Sequence, residues 1–237
     1  MAIERQVESV GYLKSIEIEE QKMGIPGRSG HFGHAGRRGQ VGGSSNPEGS
    51  SAGKVSDKAK KTLDIVASKL QEYASLRKRE ALVFVNNDSG IRSEYFPGTA
   101  MGVRIDPRTV SGLASTGNNW TAIHCHPGSF KDSSPSSFGP KDLSGLSEKH
   151  ITRIEVVGPN KDRFIIERGK VSPSSFLQIS RELASVSKGL EKDYARLSKG
   201  LDKKGKEDLW AKQSHEANKI LAGKYGYSYE KIAGAKK

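Results

Sequence analysis

Apolar and polar positions along the chain change rhythm near residue 56, and the change separates a region that can build a core from one that cannot. From Ser56, an N-cap residue, Leu63, Val66, Leu70, Tyr73 and Leu76 recur at three- and four-residue steps, which predicts a helix over 56–78 with one face to bury. ALVFVN (81–86) reads as a buried strand, NNDSG (86–90) as a turn, and 91–96 as a second, more polar strand. Asp106 and Pro107 open a short helix through Leu113, and WTAIHCH (120–126) is the next strand. Pro140, Leu143 and Leu146 predict a short helix near 140–148. TRIEVVG (152–158) and RFIIER (163–168) then form a hairpin across PNKD.

Strands and helices alternating through 56–168 predict an α/β fold, a mixed β-sheet flanked by helices. Beyond it, Ser172 and Pro173 read as N-cap and first helical residue. Phe176, Ile179, Leu183, Val186, Leu190, Tyr194, Leu197 and Leu201 follow at spacings averaging about 3.5 residues, so a long helix forms there, with a partner helix at 205–224. Such a seam packs on its own neighbour or on a second copy of the chain. The chain therefore divides into a Gly-rich N-terminal segment at 1–53, an α/β domain at 54–170, and a basic C-terminal helical extension at 171–237.

Composition sharpens this division. Mean hydropathy is −0.62, and 27 glycines are concentrated outside the periodic segments. Residues 24–53 contain almost no large apolar side chain and cannot offset the entropy of ordering their backbone, so they read as a flexible linker. His31 and His34 in that tract lack further ligands and read as solvated. The only cysteine, Cys125, excludes an internal disulfide, and no apolar run is long enough for a signal peptide or membrane span. A cytoplasmic protein is expected. The net charge of +12 lies on the flanks, with the stretch 80–167 close to neutral. Basic flanks can touch nucleic acid or an acidic protein surface, although neither aromatic interleaving nor a binding motif accompanies them.

The chemistry gathers in HCHPGSFKDSSPSSFGPKDL, residues 124–143. Side chains alternate along a strand, so His124 and His126 share one face while Cys125 takes the other. Asp142, at the start of the following helix, can return to the strand end across a loop rich in Gly, Ser and Pro. Two nitrogen donors and one carboxylate oxygen leave a fourth position open, the pattern of a catalytic rather than a structural zinc site. The same spacing also fits two partly exposed histidines beside an N-capping aspartate, and spacing by itself leaves both readings open.

Glu80 before ALVFVN, HCHP at 124–127 and Asp142 in FGPKDL together resemble the motif of the JAMM/MPN metallopeptidases. The stretch from Glu80 to Arg168 is most similar to the JAB-like domains of phages and bacteria. HFGHAGRRGQVGGS (31–44) separately resembles a tract of phage head-morphogenesis polypeptides. The resemblance implies an MPN/JAB-like fold and a Zn2+-dependent hydrolase of peptide or isopeptide bonds. In it His124, His126 and Asp142 hold the ion, and Glu80 is the general acid–base. Glu94 is the rival base. It further implies a phage- or prophage-encoded protein acting in the host cytoplasm or the virion on a protein substrate or structural partner. Where the family carries a serine three residues before the aspartate, this chain has Gly139, so an expected oxyanion donor is missing; Ser136 and Ser137 are the candidate substitutes. A non-catalytic morphogenesis protein that keeps the fold, and a nucleic-acid-binding protein, are the alternatives.

Overall fold

The Ser56 side chain accepts a hydrogen bond from the Ala59 amide at 3.1 Å and so starts the first described helix where the sequence places it. The computed structural model describes residues 54–100, 102–127, 137–158 and 161–234. The Gly-rich segment 1–53, with its linker reading at 24–53, and Ser136 lie outside the described residues.

Helix α1 (Asp57–Arg77) leads into strand β1 (Ala81–Asn86) and the two-residue β2 (Phe96–Pro97). Helix α2 (Pro107–Ser115), strand β3 (Trp120–Cys125) and helix α3 (Pro140–Ser144), prolonged by a 3-10 turn at Gly145–Ser147, come next. Strands β4 (Ile151–Val157) and β5 (Arg163–Glu167), helices α4 (Ser175–Leu197) and α5 (Lys203–Tyr225), and strand β6 (Ser228–Ile232) complete the order. The six strands form one sheet in the order β2-β1-β3-β4-β5-β6, in which β3 and β4 are parallel and every other pair is antiparallel. The fold is therefore mixed α/β, a mixed sheet flanked by helices.

Each face of the sheet has its own core. On one, Leu63, Val66, Ala67, Leu70 and Ala74 of α1 cover Ala81, Val83, Val85, Ile123, Cys125 and Val157. On the other, Phe84, Trp120, Ala122, Ile154, Phe164 and Ile166 meet Leu113 of α2, Leu143 of α3, Phe176, Ile179 and Leu183 of α4, and Ala217, Leu221 and Ala222 of α5. The C-terminal seam thus packs on the sheet and on α5 from Phe176 to Tyr194, while Leu197 and Leu201 stand exposed, and the residues that follow 171 share a core with those before it. Burying side chains of this size contributes about 1.5–3 kcal/mol each, so the C-terminal helices are a substantial part of what holds the sheet.

Four details differ from the sequence reading. Leu76 stands 69% exposed, because the buried stripe of α1 turns through Ala67 and Ala74 instead. The polar strand expected at 91–96 is reduced to a bridge between Val85 and Arg92 and to β2; the Ser93 side chain takes the Phe84 amide, and the ladder is interrupted. Helix α4 starts at Ser175 rather than Pro173, because Ser172 and Pro173 enter it through tight turns, with Ser175 N donating to Ser172 O and Phe176 N to Pro173 O. Finally, Ser228–Ile232, not expected to be ordered as a strand, pairs antiparallel with β5 from Arg163↔Ile232 to Glu167↔Ser228.

Candidate metal centre

Strand β3 carries the two histidines because its alternation is regular: Trp120, Ala122 and His124 face the helices α2 to α5, while Ile123 and Cys125 face α1. The one register irregularity against β4 falls at its start, between Trp120 and Thr121. His126, one residue past the strand, stays in line because its amide donates to Val157 O at 3.0 Å. Both rings are buried, with 5% and 4% of each residue exposed. Asp142 arrives from the first turn of α3. Its Oδ2 accepts from the Gly139 amide at 2.7 Å, the contact of an acidic third residue with the backbone at a helix start.

The three side chains converge. His124 Nε2 lies 3.2 Å from His126 Nε2 and 3.1 Å from Asp142 Oδ1, and His126 Nε2 lies 3.7 Å from Asp142 Oδ2. All three candidate ligand atoms fall within 4.8 Å of one another. Metal bonds of 2.0–2.1 Å at the tetrahedral angle would separate ligand atoms by roughly 3.3–3.4 Å, and the 3.2 Å between the two Nε2 atoms and the 3.1 Å from His124 Nε2 to Asp142 Oδ1 are close to that separation. The donor set of two imidazoles and a carboxylate suits such an ion. The residues present fit a metal.

Electrostatics point the same way. Burial raises the Asp142 carboxyl, but the charge and hydrogen bond of His124, the charge of His126 and the Gly139 amide together bring it to about 2. Burial works against a charged His124, yet the charge and hydrogen bond of Asp142 and the charge of Glu80 hold that imidazole above its ordinary value. The cluster favours positive charge at its centre, whether carried by a proton or by an ion.

Glu80 belongs to the same place. Leu82 pairs with His124 across β1 and β3, so Glu80, two residues earlier on the same face, stands beside the end of β3. Its backbone is pinned on the other side, donating to Thr99 O and accepting from Gly98 N, both at 2.8 Å. Gly98 is required there, since a Cβ would fall 2.6 Å from Gly102 O. Burial pushes the Glu80 carboxyl up; His124 and Lys141 pull it down, Asp142 pushes it further up, and the result is about 7. The rival base, Glu94, is exposed in the irregular stretch before β2.

The candidate oxyanion donors behave differently. The Ser137 hydroxyl turns into the interior and bonds Tyr229 OH at 2.8 Å. Gly139 offers only a backbone amide, which Asp142 occupies. Sequence reasoning missed Lys141, whose charge reaches Glu80, and Asn218, whose amide holds the Phe138 carbonyl at 3.0 Å. Lys141 sits next to a candidate ligand and could have been noticed; a polar residue in the middle of a lysine-rich helix gives no such signal.

Comparison of the chain with protein-family models, with curated proteins and with solved structures finds no match.

Proposed function

We propose that this chain is a zinc-dependent hydrolase of peptide or isopeptide bonds, organised like the JAMM/MPN metallopeptidases its motif resembles. The observation that carries the reading is the convergence of His124, His126 and Asp142, with one ligand atom from each within 4.8 Å of the others and Glu80 beside them on the same sheet face. When bound, zinc supplies Lewis acidity towards a carbonyl and acidifies water. Glu80 takes a proton from the attacking water as the oxygen adds to the carbonyl carbon, then gives it to the amine nitrogen as the C–N bond breaks. A value near 7 without metal equips a carboxylate to hold and release a proton near neutrality, and a neighbouring cation draws that value lower. His124 and His126 would hold the ion through the Nε2 atoms that converge with Asp142, and the Gly139 amide keeps Asp142 turned towards them.

A second reading is favoured by one observation: Gly139 brings no hydroxyl, and that of Ser137 is engaged with Tyr229. On this reading the chain is a morphogenesis or virion component that keeps the metal centre without turnover.

Metal analysis of protein purified without chelator, beside His126→Ala, tests the centre, with about one zinc per chain expected for the wild type and none for the variant. Peptide cleavage by wild type, Glu80→Gln and Gly139→Ser then separates the readings. The Gly139 backbone, φ −91° and ψ 172°, is one a serine adopts freely. Gly139→Ser is expected to raise turnover by up to about a hundredfold through a restored donor, and Glu80→Gln to abolish it with zinc retained. Zinc without cleavage in wild type and Gly139→Ser alike establishes the second reading instead.

A further inference from the structure

The segment Ser137–Pro140 delivers Asp142 to the histidines, and all three C-terminal elements hold it. From β6, Tyr229 OH bonds the Ser137 hydroxyl at 2.8 Å and is itself bonded to His215 Nδ1 of α5 at 2.8 Å. From α5, Asn218 Nδ2 donates to Phe138 O at 3.0 Å. From α4, the Ser180 hydroxyl donates to Pro140 O at 2.6 Å. The clamps fall on either side of Gly139, the residue whose amide grips Asp142.

The central clamp acts on the ligand through one rigid group. Phe138 C=O and Gly139 N–H belong to the same planar peptide unit. Asn218 fixes the oxygen end of that plane, and the nitrogen end donates to Asp142 Oδ2 at 2.7 Å. A donor on the carbonyl also polarises the peptide and strengthens the bond its N–H gives to the carboxylate. Rotation of this plane moves the amide away from Asp142 and frees the carboxylate to turn away from His124 and His126.

Asn218 itself is out of character with its surroundings. It is fully buried between Ala217 and Leu221, where a packing position takes an apolar side chain. Among the described residues no donor reaches its Oδ1. An unsatisfied buried acceptor costs about 1–3 kcal/mol. What the side chain contributes is its two N–H groups, one to Phe138 O and one to Ser214 O, each at 3.0 Å.

The geometry points to Asn218 as the positioning residue of the metal centre: through the Phe138–Gly139 peptide it orients Asp142, so that residues 175–232 build the site rather than extend from it. This rests on the metal reading above and goes beyond it, since no motif residue lies past Asp142.

The test uses the full chain. Zinc affinity is measured by competition with a chromophoric chelator, Co2+ is added to read the d–d absorption of its coordination, and metal-free stability is followed in urea. The variants are Asn218→Leu and, as a control, Val66→Ala, which loosens the core on the opposite face of the sheet. Asn218→Leu is expected to bind zinc about tenfold or more weakly and to alter the Co2+ band, as loss of a hydrogen bond supporting a ligand does. Val66→Ala is expected to lower the urea midpoint and bind both metals like wild type. Equal zinc affinity and an identical Co2+ band for Asn218→Leu and wild type overturn the inference while leaving the metal centre standing. A wild type that binds neither metal overturns both. If Asn218→Leu does not fold, Asn218→Ala, which removes the same two N–H groups without adding bulk, decides by the same measurements and the same outcomes.

Discussion

The two ends of strand β3 both bury polar side chains, and they do so in opposite ways. Where the strand begins, Thr121 donates to Asn87 Oδ1, Asn87 Nδ2 donates to Asn119 Oδ1 and Thr152 Oγ1, Thr152 donates to Asn119 Oδ1, and Asn119 reaches out to Asp88. Donors and acceptors are matched, the buried members are neutral, and the group is closed. Where the strand ends, two imidazole nitrogens and two carboxylate oxygens converge with Glu80 beside them. The groups there are ionisable, and a negative carboxylate faces two imidazoles that can each carry a proton or ligate an ion. Buried polarity alone therefore does not mark a site. The chemistry of the groups does, and of the two ends the histidine end is the one whose donor set could hold a cation.

The largest expected effect breaks the comparison at that end. Replacing both histidines, His124→Ala with His126→Ala, removes two of three ligands. Zinc affinity should fall by at least a thousandfold on the order expected for an incomplete site, while the far-ultraviolet spectrum of the metal-free protein stays that of the wild type. Equal zinc content in the double variant and the wild type would place the ion elsewhere and reduce the cluster to a buried hydrogen-bonded pair.

A change at the other end should do the reverse. Asn87 is fully buried, and Asn87→Ala leaves Thr121, Asn119 and Thr152 short of partners at once. It is expected to destabilise the protein by about 2–3 kcal/mol in urea unfolding, with zinc affinity unchanged. A loss of zinc binding in the folded Asn87→Ala variant would show that the two ends are coupled along the strand, against the separation drawn here.

How far each end could be read in the sequence follows from the same contrast. The histidine end depends on local rules: strand alternation puts His124 and His126 on one face, and a helix start puts a carboxylate at Asp142. Both rules act within a few residues, and ALVFVN, WTAIHCH and the 152–168 hairpin were legible for the same reason. The asparagine network depends on which loops meet, and Asn87, Asn119 and Thr152 look like ordinary turn and edge residues until the sheet brings them together. Strand β6 was hidden because SYEKI carries no apolar run and leaves most of its residues exposed; only pairing with β5, some sixty residues away, orders it. Glu155 was equally silent. It is a fully buried carboxylate inside a strand, and Arg153 and Arg163 of neighbouring positions satisfy it.

The smallest expected effect sharpens the comparison by pH. In chelator-treated protein the Glu80 carboxyl lies near 7, above its ordinary value of 4.5, chiefly because burial disfavours its charge. The native state then holds this proton more tightly than the unfolded chain does. The group's effect on stability is therefore favourable below about 4.5 and is lost as pH rises through 7. Glu80→Gln cannot titrate, so its advantage over wild type should grow between pH 4 and pH 8 by ~1–2 kcal/mol, after the full shift is discounted for the partial exposure of the side chain. The rise of His124 works in the same direction in both proteins and largely cancels from the difference. Asn87→Ala, whose buried partners are neutral, should show a deficit that is the same at pH 4, 6 and 8. Urea unfolding of the three proteins at pH 4, 6 and 8 in the presence of chelator reads all of this in one series. A Glu80→Gln advantage that does not change with pH would mean that Glu80 is solvated like any surface carboxylate, and the acid–base role assigned to it would lose its physical basis.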